Sequence, residues 1–401
     1  MITVKKKILL TLHSHCNYNK LTLIIRRNYQ NVSDSKRRSN MLKKGLPLIS
    51  LLLIFLMILT GCQLNETIPK GEQRVYKWRM VTHQIPGTAR YDGTILPFVK
   101  AVEEMSGGRL VIEPFGANIL FPTNETFDMV KNGVVDLAAV YTGFWTGKDP
   151  VFALGGGTIP GDPISGFEEH FYRSEKLQPI MDKAYEKHGI NSLGAFDYAP
   201  EEILMSQVPI RSTDDFKGKN IRAAGVASLF YGILGASAIS LSAPEIYTGL
   251  QLGTVDAAEF NDYLVNGEMG LNEISKYIIE PALHVGPSSD KELIANPKSW
   301  EELPEDLKAI VQVARDKVRY QSAIAYGVES SKAKNEWMNN PDIEFIQLPE
   351  DDIEEMREKG FELLNDYKEK SEASKEYVEQ YADLLAELGY IEQAKKIGYK
   401  E

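Results

Sequence analysis

Residues 125–138 read ETFDMVKNGVVDLA, and residues 245–258 read EIYTGLQLGTVDAA. Both follow E-x-F/Y-x-x-V/L-x-x-G-x-V-D-x-A, at an offset of 120 positions. The physics is the same in each copy. The acid lies in the first turn of a helix, where it complements the macrodipole. The aromatic and the aliphatic three positions later share one helix face. Gly133 and Gly253 stand where a helix ends, a place that often requires positive φ. A short strand then begins at Val135 or Val255 and delivers its last residues to a sheet edge. One unit used twice predicts an α/β fold of two similar lobes. In α/β sheets ligands bind at the carboxyl ends of strands. That rule directs attention to Tyr141, Phe144 and Trp145 after the first copy, and to Glu259, Phe260 and Asn261 after the second.

Outward from the repeat, Tyr76–Val81 alternates like a half-buried strand. Residues 92–105 carry Ile95, Phe98, Val99, Val102 and Met105 at helical spacing, and Ser106-Gly107-Gly108 ends the pattern. Leu110–Phe115 reads as the next strand, so the domain opens strand, helix, strand, the start of a parallel sheet. Residues 300–338 and 350–398 are rich in Glu, Lys, Ala and Leu and read as helices, separated by a turn at Asn339-Asn340-Pro341 and a strand at Ile343–Ile346. Long amphipathic helices must bury one face. They can brace both lobes or pair with a second copy of the chain, which makes a homodimer a candidate assembly.

The first 61 of the 401 residues differ in character from the rest. They hold 11 Lys+Arg and one acid, which leaves 34 basic and 55 acidic residues and a formal net charge of −21 for residues 62–401. So acidic a surface repels nucleic acid and anionic lipid. Met41-Leu42-Lys43-Lys44 and the 14-residue apolar run LPLISLLLIFLMIL at 46–59 form a signal-peptide core, too short for a comfortable membrane span. Leu59-Thr60-Gly61-Cys62 resembles the bacterial lipobox, in which the cysteine takes a diacylglyceryl group and becomes the mature N-terminus. The expected organisation is an extension at 1–40 that precedes a complete signal and reads as a misassigned start, a lipoprotein signal at 41–61, a polar tether at 62–75, and a two-lobed domain at 76–401. Cys16 and Cys62 are the two cysteines, so that domain has neither a disulfide nor a cysteine metal site.

Enzyme signatures are absent: the sequence has no G-x-S-x-G, Walker, or H-E-x-x-H motif. His83, His170, His188 and His284 are scattered through the domain, and a lone histidine is most often structural. Arg222 is the strongest single candidate. It ends a short strand after the turn at Gly218 and precedes Ala223-Ala224-Gly225, so a cleft ligand can reach it without obstruction. Its planar guanidinium matches a carboxylate bidentately.

Residues 76 to about 390 resemble the DctP-type binding proteins of tripartite ATP-independent periplasmic (TRAP) transporters. The resemblance is carried by IRAAGVASLFYGILGASAISLSAPEIYTGLQLGTVDAAEFN, residues 221–261. It implies a two-lobed fold of the type II periplasmic-binding-protein kind with long C-terminal helices, and no enzymatic activity. It also implies that Arg222 forms a salt bridge with the substrate carboxylate. WRMVT at 78–82, MSGGRL at 105–110, the Phe144-Trp145 segment and Ala258-Glu259-Phe260 are similar to members that bind 2-oxo acids or lactate with a metal. That similarity implies a site in which Glu259 supplies a carboxylate and Phe260 a backbone carbonyl. The third ligand falls at Glu201 or, one register on, Glu202, where the family has a glutamine. A carboxylate there favours Ca²⁺ over Na⁺. The implied partners are a small carboxylate and the membrane permease subunits, at the extracytoplasmic face of a membrane. Docking on a sensory receptor is the alternative.

Overall fold

A computed structural model describes residues 74–400, apart from 165, 202, 286 and 287. The leader, Cys62 and most of the tether lie outside the described residues, as does Glu202.

The chain alternates strands and helices as the repeat requires. Strand β1 (Tyr76–Thr82) leads through a π-helical turn at Tyr91–Ile95 into helix α1 (Leu96–Met105), and β2 (Leu110–Phe115) follows. The face expected on α1 is buried at Ile95, Phe98 and Val102, while Met105 at its end is exposed. Helix α2 (Thr126–Lys131) and β3 (Leu137–Val140) are the first copy of the repeat. Next come α3 (Phe167–Lys187), β4 (Asn191–Pro200), β5 (Leu204–Ser206) and β6 (Asn220–Arg222). Helix α4 (Gly225–Ile233), β7 (Ser237–Ile239), α5 (Ala243–Gln251) and β8 (Ala257–Ala258) carry the second copy. Helix α6 (Tyr263–Glu268), β9 (Tyr277–Glu280) and β10 (Ser288–Ala295) follow, and then the 34-residue helix α7 (Glu305–Met338) and β11 (Glu344–Gln347). Helices α8 (Glu350–Lys368), α9 (Glu372–Glu387) and α10 (Ile391–Lys396) end the chain.

The strands form two sheets, in the orders β2-β1-β3-β10-β4 and β11-β9-β5-β8-β6-β7. Each lobe uses the repeat in the same way. Strand β3 runs parallel to β1 with Met80 opposite Leu137, and β8 runs parallel to β6 with Ile221 opposite Ala257. The repeated Asp ties these pairs together. The carboxylate of Asp136 accepts the Arg79 backbone N–H at 2.8 Å, and that of Asp256 accepts the Asn220 N–H at 2.8 Å. Gly133 and Gly253 both have φ of +70°. The Val-Asp of the motif therefore fixes register against the neighbouring strand.

The main chain crosses between the lobes three times: from β4 to β5, from β9 to β10, and along α7 to β11. Strand β10 returns antiparallel between β3 and β4. Its Asp290 is buried and takes Ser174 at 2.6 Å and Arg319 at 2.8 Å, which welds α3 and α7 to the first sheet. Beside the cleft, the buried guanidinium of Arg90 donates to Asp262 and, at 2.6 Å, to the Tyr198 carbonyl.

The expected 350–398 helix is three helices, broken before Glu372 and at Gly389, whose φ is +93°. Met356, Phe361, Leu363 and Leu364 are buried in one core with Val226, Phe230 and Tyr231 of α4. The apolar faces of these helices are thus covered within one chain. No helix among the described residues is long and apolar enough to cross a membrane.

Candidate functional site

The carboxyl ends of β1, β3, β6 and β8 converge, as the strand-end rule expects. They bring His83, Tyr141, Arg222 and Glu259 to one place, and Phe260 and the Phe144 turn close over them. A small inner cavity of about 20 Å³ is lined by these residues together with Glu201 and Val285. An outer cavity of about 550 Å³ adjoins it, sharing His83, Phe144, Arg222 and Phe260. Asn118 and Asn124 line that outer space from one lobe, and Ser240 and Ser242 from the other.

Arg222 is 3% exposed and held on two edges. Its Nε donates to the Leu241 carbonyl at 3.1 Å. Its Nη1 donates to the Glu259 carbonyl at 2.5 Å and to the Glu259 carboxylate at 3.1 Å. The Phe260 ring lies 5.4 Å from the guanidinium carbon. Among the described residues, Nη2 has no acceptor. The two-nitrogen grip expected for the ligand is therefore spent on Glu259 and Leu241, and the two hydrogens of Nη2 remain for an incoming acid.

Glu259 stands one residue beyond β8. Its Oε1 also accepts the Ala224 N–H at 2.8 Å. Burial pushes its carboxyl up to about 7, with Arg222 opposing and Glu201 adding to the rise. Glu201 lies on the β4–β5 crossing and accepts from the Lys291 ammonium at 2.8 Å. Lys291 is itself buried and lies 5.5 Å from the Tyr141 ring centroid. Two cations and two carboxylates are thus buried side by side.

A cation has a fitting place here. One ligand atom each from Glu201, Glu259 and His284 lie within 4.8 Å of one another, and all three residues are buried. Among the described residues the imidazole of His284 has the Ala282 backbone as a hydrogen-bond partner and no side-chain one. Burial lowers the pKa of that imidazole to about 4, so its lone pair is available at neutral pH. The inner cavity has room for about one ion or water.

The structure separates two expected residues from this group. Trp145 lines neither cavity; its indole is buried against Phe127 and Tyr185 and donates to the Tyr185 hydroxyl at 3.2 Å. Asn261 likewise lines neither. It is buried, and its Oδ1 takes the Asp262 N–H at 3.0 Å where α6 begins. Three residues that sequence reasoning passed over belong to the site. His83 directly follows β1, a position the strand-end rule could have flagged, and burial holds its imidazole down to about 3, with Lys291 adding to the effect. Lys291 and His284 lie on the antiparallel return strand and on the crossing before it, where no local pattern marks them.

Two lobes around a buried cleft, with a fixed arginine lining an enclosed space, are the architecture of a solute-binding protein. Residues 81–370 match the family model described as bacterial extracellular solute-binding protein, family 7, the DctP family, and the chain belongs to that family. It is similar to a monocarboxylate 2-oxoacid-binding periplasmic protein of Nostoc, 22% identical over 325 residues, which is 81% of this chain and 88% of that protein. A TRAP periplasmic solute-binding protein of Pseudoalteromonas atlantica, solved with bound sodium and pyruvate, has a TM-score of 0.72 at 24% identity, over 82% of this chain and 100% of that one. Another, of Colwellia psychrerythraea with bound calcium and pyruvate, has a TM-score of 0.69 at 25% identity, over 79% and 96%.

Proposed function

We propose that this chain captures a small organic acid, a 2-oxo acid or lactate-like carboxylate, outside the cytoplasm and delivers it to the membrane permease of a TRAP transporter. The observation that carries the reading is that Arg222, whose Nη2 has no acceptor among the described residues, lines both an ion-sized inner cavity and a larger outer one. Arg222 holds the ligand carboxylate, and Tyr141 and Phe144 wall the pocket around it. The charge count supports a cation that enters with the ligand. Arg222 and Lys291 already balance Glu201 and Glu259, so a further anion leaves the closed pocket with uncompensated charge, which is costly away from water. Na⁺ held by Glu201, Glu259 and the Phe260 carbonyl restores the balance, and Ca²⁺ there reverses the excess to a single positive charge. The relatives solved with pyruvate and sodium or calcium favour the same pairing.

The test is calorimetry with pyruvate, lactate and related acids on Arg222→Ala and Arg222→Lys. Breaking one partner of a buried ion pair costs ~3–5 kcal/mol, and each ~1.4 kcal/mol is tenfold in affinity. Arg222→Ala is expected to weaken binding by roughly two to three orders of magnitude. Its fold stands, because Glu259 can take a proton when its partner is gone. Arg222→Lys restores part of the loss. Native affinity in a normally melting Arg222→Ala protein puts the carboxylate elsewhere and ends the reading.

A further inference from the structure

The inner cavity is too small for the body of a ligand held by Arg222, so that body extends into the outer one. The outer space of about 550 Å³ is far more than a three-carbon acid fills. Six heavy atoms, each given the ~30 Å³ that a water takes in the liquid, occupy ~180 Å³. The wall shows what belongs in the rest. The 117–124 loop contributes Leu120, Phe121 and Pro122 from one lobe, and the other lobe contributes Leu241 and Ala243. Leu120 is 43% exposed, a large apolar side chain left open at the cavity's edge. Several polar groups on the same wall are already used. Asn118 Oδ1 accepts the Thr123 N–H and hydroxyl, both at 3.0 Å. The Glu245 carboxylate accepts the Ser242 hydroxyl at 2.5 Å and the Ser242 N–H at 2.8 Å, which caps α5.

Charge narrows the choice further. Among the described residues that line the outer cavity, Arg222 is the one Lys or Arg and Glu245 the one acid. The hydrogen bonds from Ser242 hold the Glu245 carboxyl below its usual range, so it is ionised at neutral pH. Lys370 lines an adjoining cavity that shares Asn124, Phe144 and Ser240 with this one, and its ammonium lies over the Tyr367 ring, 4.1 Å from the centroid. A second carboxylate on a ligand in the outer cavity would meet a fixed negative charge and no cation, and like charges set against each other in a binding site cost affinity. We propose that the ligand is a monocarboxylate longer than three carbons, whose uncharged apolar tail lies on Leu120, Phe121 and Leu241, and that Glu245 bars acids with a second carboxylate. This rests on the reading that Arg222 takes the carboxylate, and it names what the rest of the ligand must be.

The experiment is calorimetry at fixed ionic strength with pyruvate, 2-oxobutanoate, 2-oxopentanoate, 4-methyl-2-oxopentanoate and 2-oxoglutarate, and with the matching 2-hydroxy acids. Native protein, Leu120→Ser, Glu245→Gln and Arg222→Ala are compared, with melting temperatures to show that each folds. Affinity is expected to rise about fourfold with each added methylene from three to five carbons, the gain of burying one methylene. 2-Oxoglutarate matches 2-oxopentanoate in length but ends in a carboxylate, and is expected to bind roughly tenfold more weakly or worse. Leu120→Ser flattens the rise with length. Glu245→Gln, which keeps the capping box, narrows the gap between the two five-carbon acids by about threefold or more. Arg222→Ala weakens the whole series together, which marks the carboxylate clamp. Pyruvate as the tightest acid in the native protein, 2-oxoglutarate bound as well as 2-oxopentanoate, or a ranking that neither Leu120→Ser nor Glu245→Gln alters overturns the proposal and leaves the clamp intact. Acids that bind Arg222→Ala as they bind the native chain end the carboxylate reading, and this inference with it.

Discussion

Glu292, next to Lys291 on β10, is a buried acid outside the binding pocket, 1% exposed. Burial pushes its carboxyl up to about 8, and Asp182 adds to the rise. The folded chain therefore holds a proton there that the unfolded chain releases near pH 4.5. Stability from this residue is complete below that value and is lost as pH rises through about 8. Glu292→Gln should match the native protein near pH 4 and exceed it at pH 9 by up to roughly 5 kcal/mol, read from urea unfolding at both pH values. A difference that does not grow with pH contradicts the assignment. Arg222 and Glu259 were legible in the sequence because Arg222 ends a short strand after the Gly218 turn and Glu259 directly follows the strand of the second repeat copy, and strand ends are where such sheets bind ligands. Tyr141 and Phe144 were legible for the same reason. Trp145, their neighbour, was overcounted, since a short turn rotates successive side chains to opposite sides and sent its ring inward. His284 and Lys291 were not legible. Their place depends on how a strand returns from the other lobe, which no local spacing encodes.

Among the elements, the C-terminal helices were expected as amphipathic and are, yet their contacts rest on detail that periodicity does not carry. Helix α8 crosses the 160–161 segment with backbone against backbone. A Cβ at Gly360 would lie 2.1 Å from the Pro160 carbonyl oxygen, and one at Gly161 would lie 2.8 Å from the Arg357 Cα. The segment they press on is fixed from behind by Asp162, which pairs with Arg173 and accepts the Tyr381 hydroxyl of α9 at 2.7 Å. Neither side of the contact can retreat freely. Gly360→Ala should cost ~1–3 kcal/mol, the usual penalty of overpacking, although alanine favours helix in isolation. Denaturant unfolding checks this, and a variant as stable as the native chain would show that α8 can shift without loss.

For the whole molecule, the strong negative charge of residues 62–401 and the balanced charges of the pocket are separate designs. So acidic a surface repels anionic lipid, and we propose that a covalent lipid anchor at Cys62 holds the protein at a membrane. We expect Cys62→Ser to release the protein from the membrane fraction or to leave its leader uncleaved, as followed by fractionation and intact mass. Full membrane retention with a cleaved leader would exclude the anchor. The sheet order has a consequence of another kind. Strand β10 lies between β3 and β4, so the first sheet cannot close until residue 295 has been made, more than two hundred residues after β1. Such long-range pairing slows folding. On the proposed reading of residues 41–61 as an export signal, this delay keeps the chain open for threading through a narrow channel, because its earliest strands have no complete sheet to join before β10 is made.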